Sequence, residues 1–245
     1  MSDALLRIFR GLPRYAPGSD DATREALRRL GPLPPRPRVI DLGCGGGAQT
    51  LTLAAALDGP PIVAVDRHRP FLDELDAAAS RAGLGHRIRT RCADFAALDD
   101  APGSYDLVWS EGAIYHLGLA DGQRRWRPLL APGGRLAATE LTWTTDDPPA
   151  EAAAFWGAAH PAMADEADDR RVIAEAGWIV LDAFALPASA WWDGYYAPLD
   201  ARLAELMPEA DASLRAAVAE TRREIDLWRR HGSSYGYVFY LLRPR

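Results

Sequence analysis

The period of apolar and polar positions changes several times along this chain, and each change marks an element. Val39–Leu42 and Ile62–Val65 are apolar runs too short for a helix. The first is interrupted only by Asp41 and the second is closed by Asp66, which is how strands buried on both faces read. Further strands are predicted at Arg89–Cys92, Tyr105–Ser110 and, after a Pro132-Gly133-Gly134 turn, Arg135–Glu140, with two more at Trp178–Phe184 and Tyr235–Tyr240. Helical spacing appears near Asp21–Leu30, Ala150–Ala159 and Asp169–Ala176. It appears again where Leu214, Val218, Ile225 and Trp228 recur at steps of four, seven and three, an apolar stripe facing a core. The alternation of strand and helix up to about Trp143 predicts an α/β domain whose mostly parallel sheet is covered on both faces. Ligands of such sheets bind at the carboxyl ends of the strands, near the point where strand order reverses.

The 245 residues and their 48% hydrophobic content suit one domain over residues 1–245, with elaborations. Residues 1–20, rich in Pro and Gly, read as a lid-like lead-in, and residues 186–231 as a helical insertion before the last strand. The absence of a leader and of an apolar span of about 18 residues predicts a cytoplasmic protein that does not enter the membrane. Two cysteines, Cys44 and Cys92, are too few for a disulfide framework or a zinc cluster, so no metal site is expected. A net charge of −6 gives little attraction for phosphate backbones, and nucleic acid is not an expected partner. The chain contains neither Lys nor Asn, which excludes a lysine base or Schiff base.

Chemistry concentrates in Val39-Ile40-Asp41-Leu42-Gly43-Cys44-Gly45-Gly46-Gly47-Ala48, a strand that runs through a glycine turn into a helix. Gly43, Gly45 and Ala48, with Asp66 at the end of the next strand, also satisfy the loose dinucleotide fingerprint. Asp41 decides between cofactors. Two residues before the first glycine, its carboxylate would repel a pyrophosphate and would suit the ammonium and sulfonium of S-adenosylmethionine (SAM). Alternatively, Asp41 only holds the turn. Asp66 is placed to accept ribose hydroxyls, and Asp94 to receive the exocyclic amine of an adenine lying beside Phe95.

In the order and spacing of these motifs, residues 36 to 143 resemble the class I SAM-dependent methyltransferases. Ser110-Glu111-Gly112-Ala113-Ile114-Tyr115-His116, Trp191-Trp192-Asp193-Gly194-Tyr195-Tyr196 and Tyr235-Gly236-Tyr237-Val238-Phe239-Tyr240 extend the resemblance to a bacterial subgroup acting on small molecules. The resemblance implies a Rossmann-like seven-stranded sheet of order 3-2-1-4-5-7-6 with the last strand antiparallel. It also implies a SAM site, with S-adenosylhomocysteine as product, drawing on Arg14, Tyr15, Asp41, Gly43, Cys44, Gly45, Asp66, Arg67, Asp94, Phe95, Ser110 and Glu111. The implied function is methyl transfer to a small N, O or S nucleophile. A non-catalytic SAM-binding module and a nicotinamide oxidoreductase are the competing readings.

Methyl transfer asks mainly for positioning and desolvation, and for a base only when the acceptor arrives protonated. His116, after the fourth strand, is the candidate base, with Glu111 and Glu140 as groups that orient it or an amine. His116 equally reads as a helix-start histidine bonded to backbone. Tyr115, His116, Glu140, Trp143, Trp191, Trp192, Tyr195 and Tyr196 are the candidate acceptor pocket, with Tyr195 or Trp191 the first expected to line a cavity for a planar or cationic acceptor. Should those rings turn into the core, Trp143, Trp156 and His160 take their place. Asp147-Pro148-Pro149-Ala150 imitates the loop of amino-methyltransferases of DNA, but it lacks the aromatic and follows the wrong strand. The expected partners are a small-molecule acceptor and, as an open option, a second copy in a homodimer.

Overall fold

A computed structural model describes residues 2–245. Its sheet contains β1 (Val39–Leu42), β2 (Ile62–Asp66), β3 (Ile88–Cys92), β4 (Tyr105–Ser110), β5 (Leu130–Trp143), the two-residue β6 (Ala164–Asp165), β7 (Trp178–Ala185) and β8 (Tyr235–Pro244). The order is β3-β2-β1-β4-β5-β8-β7, and β6 pairs with the end of β5. Strands β1 to β5 pair in parallel, whereas β8 runs antiparallel to both β5 and β7. With β6 left out of the count this is the expected order, last strand included.

Alternation across the pleat explains why both faces are apolar. Val39, Ile62, Ala64, Leu107 and Trp109 enter the core on one face, and Ile40, Leu42, Val63, Val65 and Val108 enter the core on the other. The first core receives α2 (Asp20–Arg29), α3 (Ala48–Ala56), α4 (Arg69–Arg81) and α6 (Ala150–Ala159). The second receives α5 (Leu119–Trp126) and α7 (Glu166–Glu175). The Pro132-Gly133-Gly134 turn falls inside β5 as an excursion, where the register against β4 shifts between Tyr105 and Leu107.

Two regions close over the carboxyl ends of the strands. At the N terminus, α1 (Asp3–Phe9) is an element that the Pro and Gly content of the segment hid. Ser2 caps it, Ile8 is fully buried, and it packs against the insertion. The insertion consists of α8 (Ala188–Trp191), a π-helical stretch over Trp192–Tyr196, α9 (Ala197–Leu206) and α10 (Ala212–His231). The predicted stripe is buried throughout: Leu214, Val218, Ile225 and Trp228 all lie against the core. The Gly18 N–H donates to the Ala190 carbonyl at 3.0 Å and joins the two regions.

Candidate active site

β1 ends at Leu42 and the chain turns through Gly43–Gly47 into α3. Gly43 has φ +76°, and a Cβ there would lie 2.4 Å from that of Ala113 on the loop after β4, so only glycine brings the two loops together. The amides of this turn are largely engaged within the protein. Gly43 and Cys44 donate to the Val65 carbonyl at 2.9 and 3.0 Å, Gly47 to the Cys44 carbonyl, and Gly45 to the Asp66 carboxylate at 3.0 Å. A pyrophosphate needs such amides free, and here it would meet the Asp66 carboxylate instead.

The turn forms one wall of a cavity of about 570 Å³, within the range of small-molecule sites. At this end the lining includes Asp66, Arg67, His68, Asp94 and Phe95. One oxygen of Asp66 accepts from the Gly45 N–H, and the other from the His68 N–H at 2.8 Å, with the His68 ring 3.0 Å away. One oxygen of Asp94 accepts from the Ala96 N–H at 2.9 Å. Phe95 packs edge-on against Trp126. Arg14 and Tyr15 roof this end. Tyr15 lies over the turn so closely that a Cβ on Gly45 would meet its ring at 3.0 Å, and its hydroxyl donates to Glu74 on α4. Burial and the Glu74 carboxylate push the Tyr15 phenol far above its ordinary range.

Glu111 also lines the cavity, but its carboxylate belongs to a buried network. It accepts from the Thr23 hydroxyl at 2.7 Å and the Trp109 indole at 2.9 Å, and it faces Arg14, which is itself paired with Asp20 at 2.8 Å. This ties the N-terminal segment and α2 to the end of β4. None of those bonds reaches His116, so Glu111 does not orient that ring. Burial raises the Glu111 carboxyl and Arg14 opposes the shift.

The other end of the cavity is lined by Tyr115, His116, Leu141, Trp156, His160, Trp191, Tyr195, Glu224 and Tyr237. Tyr115 bridges the histidines, its ring 4.1 Å from that of His116 and 4.5 Å edge-on from that of His160. His116 sits in a short 3-10 turn at the rim, and its N–H donates to the Ala113 carbonyl. Desolvation of the ring, with His160 and Arg67 nearby, holds its pKa below the usual 6.5. Burial lowers His160 likewise.

Six expected site residues stand off the cavity. Asp41 is fully buried beneath the turn, where it accepts from the Thr50 hydroxyl at 2.5 Å and the Gln49 amide at 3.5 Å. Burial lifts it to about 7. It pins α3 to β1 rather than facing a ligand, because α3 covers the face of β1 that carries it. Ser110 is spent on the Leu42 carbonyl at 2.9 Å. Glu140 is buried within β5 beside Asp169, and Trp143 packs edge-on against Tyr235 at the end of the same strand. Trp192 is half-buried against the core with the Arg229 guanidinium over its ring, and Tyr196 is fully buried and donates to Glu224 at 2.8 Å. The π-helical stretch accounts for the last two, since its wider turn breaks the i, i+4 pairing expected of the four rings.

Glu224, Tyr237, His68 and Phe71 are cavity residues that the sequence motifs did not single out, and Leu5 and Phe9 come from the unanticipated α1. Glu224 left a trace. It lies three residues after buried Thr221 and four before buried Trp228, an acid on the inward face of an otherwise apolar stripe.

A family described as a methyltransferase domain matches residues 39–134, which run from β1 into the turn inside β5. Dimethylglycine N-methyltransferase of Parasynechococcus marenigrum is 35% identical over 136 residues, 51% of this chain and 45% of that protein. Ribosomal RNA small subunit methyltransferase G of Prochlorococcus marinus is 32% identical over 158 residues, 59% of this chain and 62% of that protein. The chain thus spans less than two thirds of either relative. The crystal structure of a SAM-dependent methyltransferase from Thiobacillus denitrificans, in complex with S-adenosylhomocysteine, superposes with a TM-score of 0.86. It is 19% identical, and the match covers 100% of this chain and 99% of that one. The family match falls on the strands and turns that build one end of the cavity, and over its whole length the chain has the fold of SAM-dependent methyltransferases.

Proposed function

We propose that this chain transfers a methyl group from SAM to a small-molecule nucleophile, an N, O or S atom, within the cavity between the glycine turn and the insertion. The observation that carries the reading is the division of that one cavity into two chemically distinct ends. The end by the turn offers carboxylates on successive strands for hydroxyl and amine donors, a flat ring in Phe95, and amides already engaged. That set suits a nucleoside joined to an amino acid and is unsuited to a dinucleotide. Bound there, SAM would supply a methyl group made electrophilic by its sulfonium. The chain's own part is to roof the site with Arg14 and Tyr15, exclude water, and hold an acceptor at the aromatic end.

A polynucleotide acceptor, as the name of one relative suggests, is disfavoured by the net charge of −6 and by a roof that leaves room for a compact ligand. Among the described residues no helix is long and apolar enough to cross a membrane.

Calorimetry with S-adenosylhomocysteine and with NAD⁺ tests the cofactor. The expected result is binding of the first alone, weakened roughly ten- to a hundredfold by Asp66→Ala through loss of a charge-assisted hydrogen bond. Preference for the dinucleotide, or an unchanged affinity in Asp66→Ala, would sink the assignment. Cofactor binding with no turnover of any amine, thiol or hydroxyl acceptor would favour the regulatory-module reading.

A further inference from the structure

The acceptor end of the cavity has a composition that selects a ligand class. Five of its side chains are aromatic: Tyr115 after β4, Trp156 on α6, Trp191 and Tyr195 on the insertion, and Tyr237 on β8. Trp191 and Tyr237 lie 5.0 Å apart, centroid to centroid, at an interplanar angle of 48°, so the rings meet at an angle rather than forming a flat stack. Glu224 is the one carboxylate among the residues that line this end. It stands among the rings, where burial first and the Glu224 field as a smaller contribution raise the phenols of Tyr115, Tyr195 and Tyr237. Those phenols are therefore neutral at physiological pH, and burial disfavours the charged form of the two histidines. The local charge at this end is thus that of Glu224 when it is ionised.

The carboxylate is incompletely matched. Among the described residues its hydrogen-bond partner is the Tyr196 hydroxyl at 2.8 Å, and no arginine pairs with it. Elsewhere in the chain the acids Asp66, Asp94, Asp106 and Glu111 each hold two or more protein donors or are backed by an arginine, or accept from the backbone at a turn. An acid half-buried among rings, with a single neutral donor, is a site arranged for a positive charge that arrives from outside.

We infer that the acceptor is a small amine that binds as its ammonium ion, held by cation–π contacts to Tyr195, Trp191 and Tyr237 and by the Glu224 carboxylate, and that gives its proton to His116 before the freed nitrogen lone pair takes the methyl group and S-adenosylhomocysteine leaves. This rests on the methyl-transfer reading above and deepens it by naming the acceptor class. A neutral hydrophobic acceptor is the competing occupant of such rings, and it has no use for Glu224. Burial raises the Glu224 carboxyl in the free protein, and a cation seated beside it favours the ionised form.

The test uses choline and its neutral carbon isostere 3,3-dimethyl-1-butanol, titrated calorimetrically into the full chain saturated with S-adenosylhomocysteine, whose own binding is measured first. Choline is expected to bind at least tenfold more tightly than the isostere. Glu224→Gln is expected to lose about tenfold in choline affinity with isostere binding unchanged. Tyr195→Leu provides a second variant, expected to weaken choline more than the isostere. Retained S-adenosylhomocysteine affinity in each variant shows that it is folded. Equal or tighter binding of the isostere, or an unchanged choline affinity in Glu224→Gln, overturns the proposal and leaves the methyl-transfer reading standing. Failure of S-adenosylhomocysteine to bind the parent overturns both.

Discussion

Glu140 shows how a residue in an expected site position acts on stability instead. It lies in the central strand β5, 8% exposed, and one of its carboxyl oxygens has no hydrogen-bond partner among the described residues. Burial first, and then the Asp169 carboxylate, push its pKa from 4.5 up to about 8. Asp169 is itself raised to about 6 and is held by the hydroxyls of Thr142 and Tyr240, both at 2.9 Å. The folded state therefore keeps a proton on Glu140 that the unfolded chain gives up above about pH 4.5. Over that interval the folded form binds more protons, so stability falls as pH rises, until the folded carboxyl also ionises near pH 8.

At roughly 1.4 kcal/mol per pH unit, the interval is worth on the order of 4 to 5 kcal/mol. About 1 kcal/mol of that is already gone at pH 5.5, which leaves about 3 kcal/mol to be lost by pH 8.5. Glu140→Gln replaces the carboxyl with a neutral group of the same shape and removes this dependence. Asp41, lifted to about 7 by burial, titrates in the same direction and remains in the variant, so the measurement is the difference between the two proteins. Urea unfolding of parent and Glu140→Gln at half-unit steps from pH 5.5 to 8.5 should give curves that diverge by about 3 kcal/mol in favour of the variant at the alkaline end. Parallel curves would show that Glu140 titrates normally and that its surroundings are wetter than the packing indicates.

Other outcomes follow from the turn and the rim. Gly47→Ala should destabilise the protein by about 2 to 4 kcal/mol in urea melts, because φ is +78° and a Cβ there would lie 2.2 Å from Leu75 Cδ1; a loss under about 1 kcal/mol would refute the fit. If His116 accepts the proton of a charged acceptor, His116→Ala should lower turnover by about 10² to 10⁴ with S-adenosylhomocysteine affinity retained. The parent's rate should then fall on the acid side of pH 6.5, since desolvation together with His160 and Arg67 outweighs the opposing field of Asp66. An acid limb that survives in the variant returns His116 to its backbone hydrogen bond alone.

How far the sequence could be read depended on what period and spacing encode. The apolar runs of β1, β2 and β4 fixed a sheet covered on both faces, since their alternate residues enter two cores, and the glycine turn fixed which end of the sheet carries the site. Spacing could not separate Asp41 from Asp66. Both are acids near the carboxyl end of a strand, yet one lies under α3 and the other at the cavity. The difference is one of position. Asp66 is the last residue of β2 and lines the cavity, whereas Asp41 precedes Leu42 on a face that α3 covers. The rings of the insertion were legible as a cluster, but their directions were not, because a π-helical stretch shifts the angle at which Trp192 and Tyr196 leave the backbone.

Glu224 marks where such reading stops. A search for an amphipathic helix scores the apolar positions 214, 218, 225 and 228 and counts an acid between them as noise around the stripe. An inward acid in a stripe of that kind must find a partner, shed its charge, or face a cavity. Among the described residues Glu224 is met by a single hydroxyl, that of Tyr196, and by no paired arginine, and that combination becomes visible only when the insertion is seen folded over the ends of the strands.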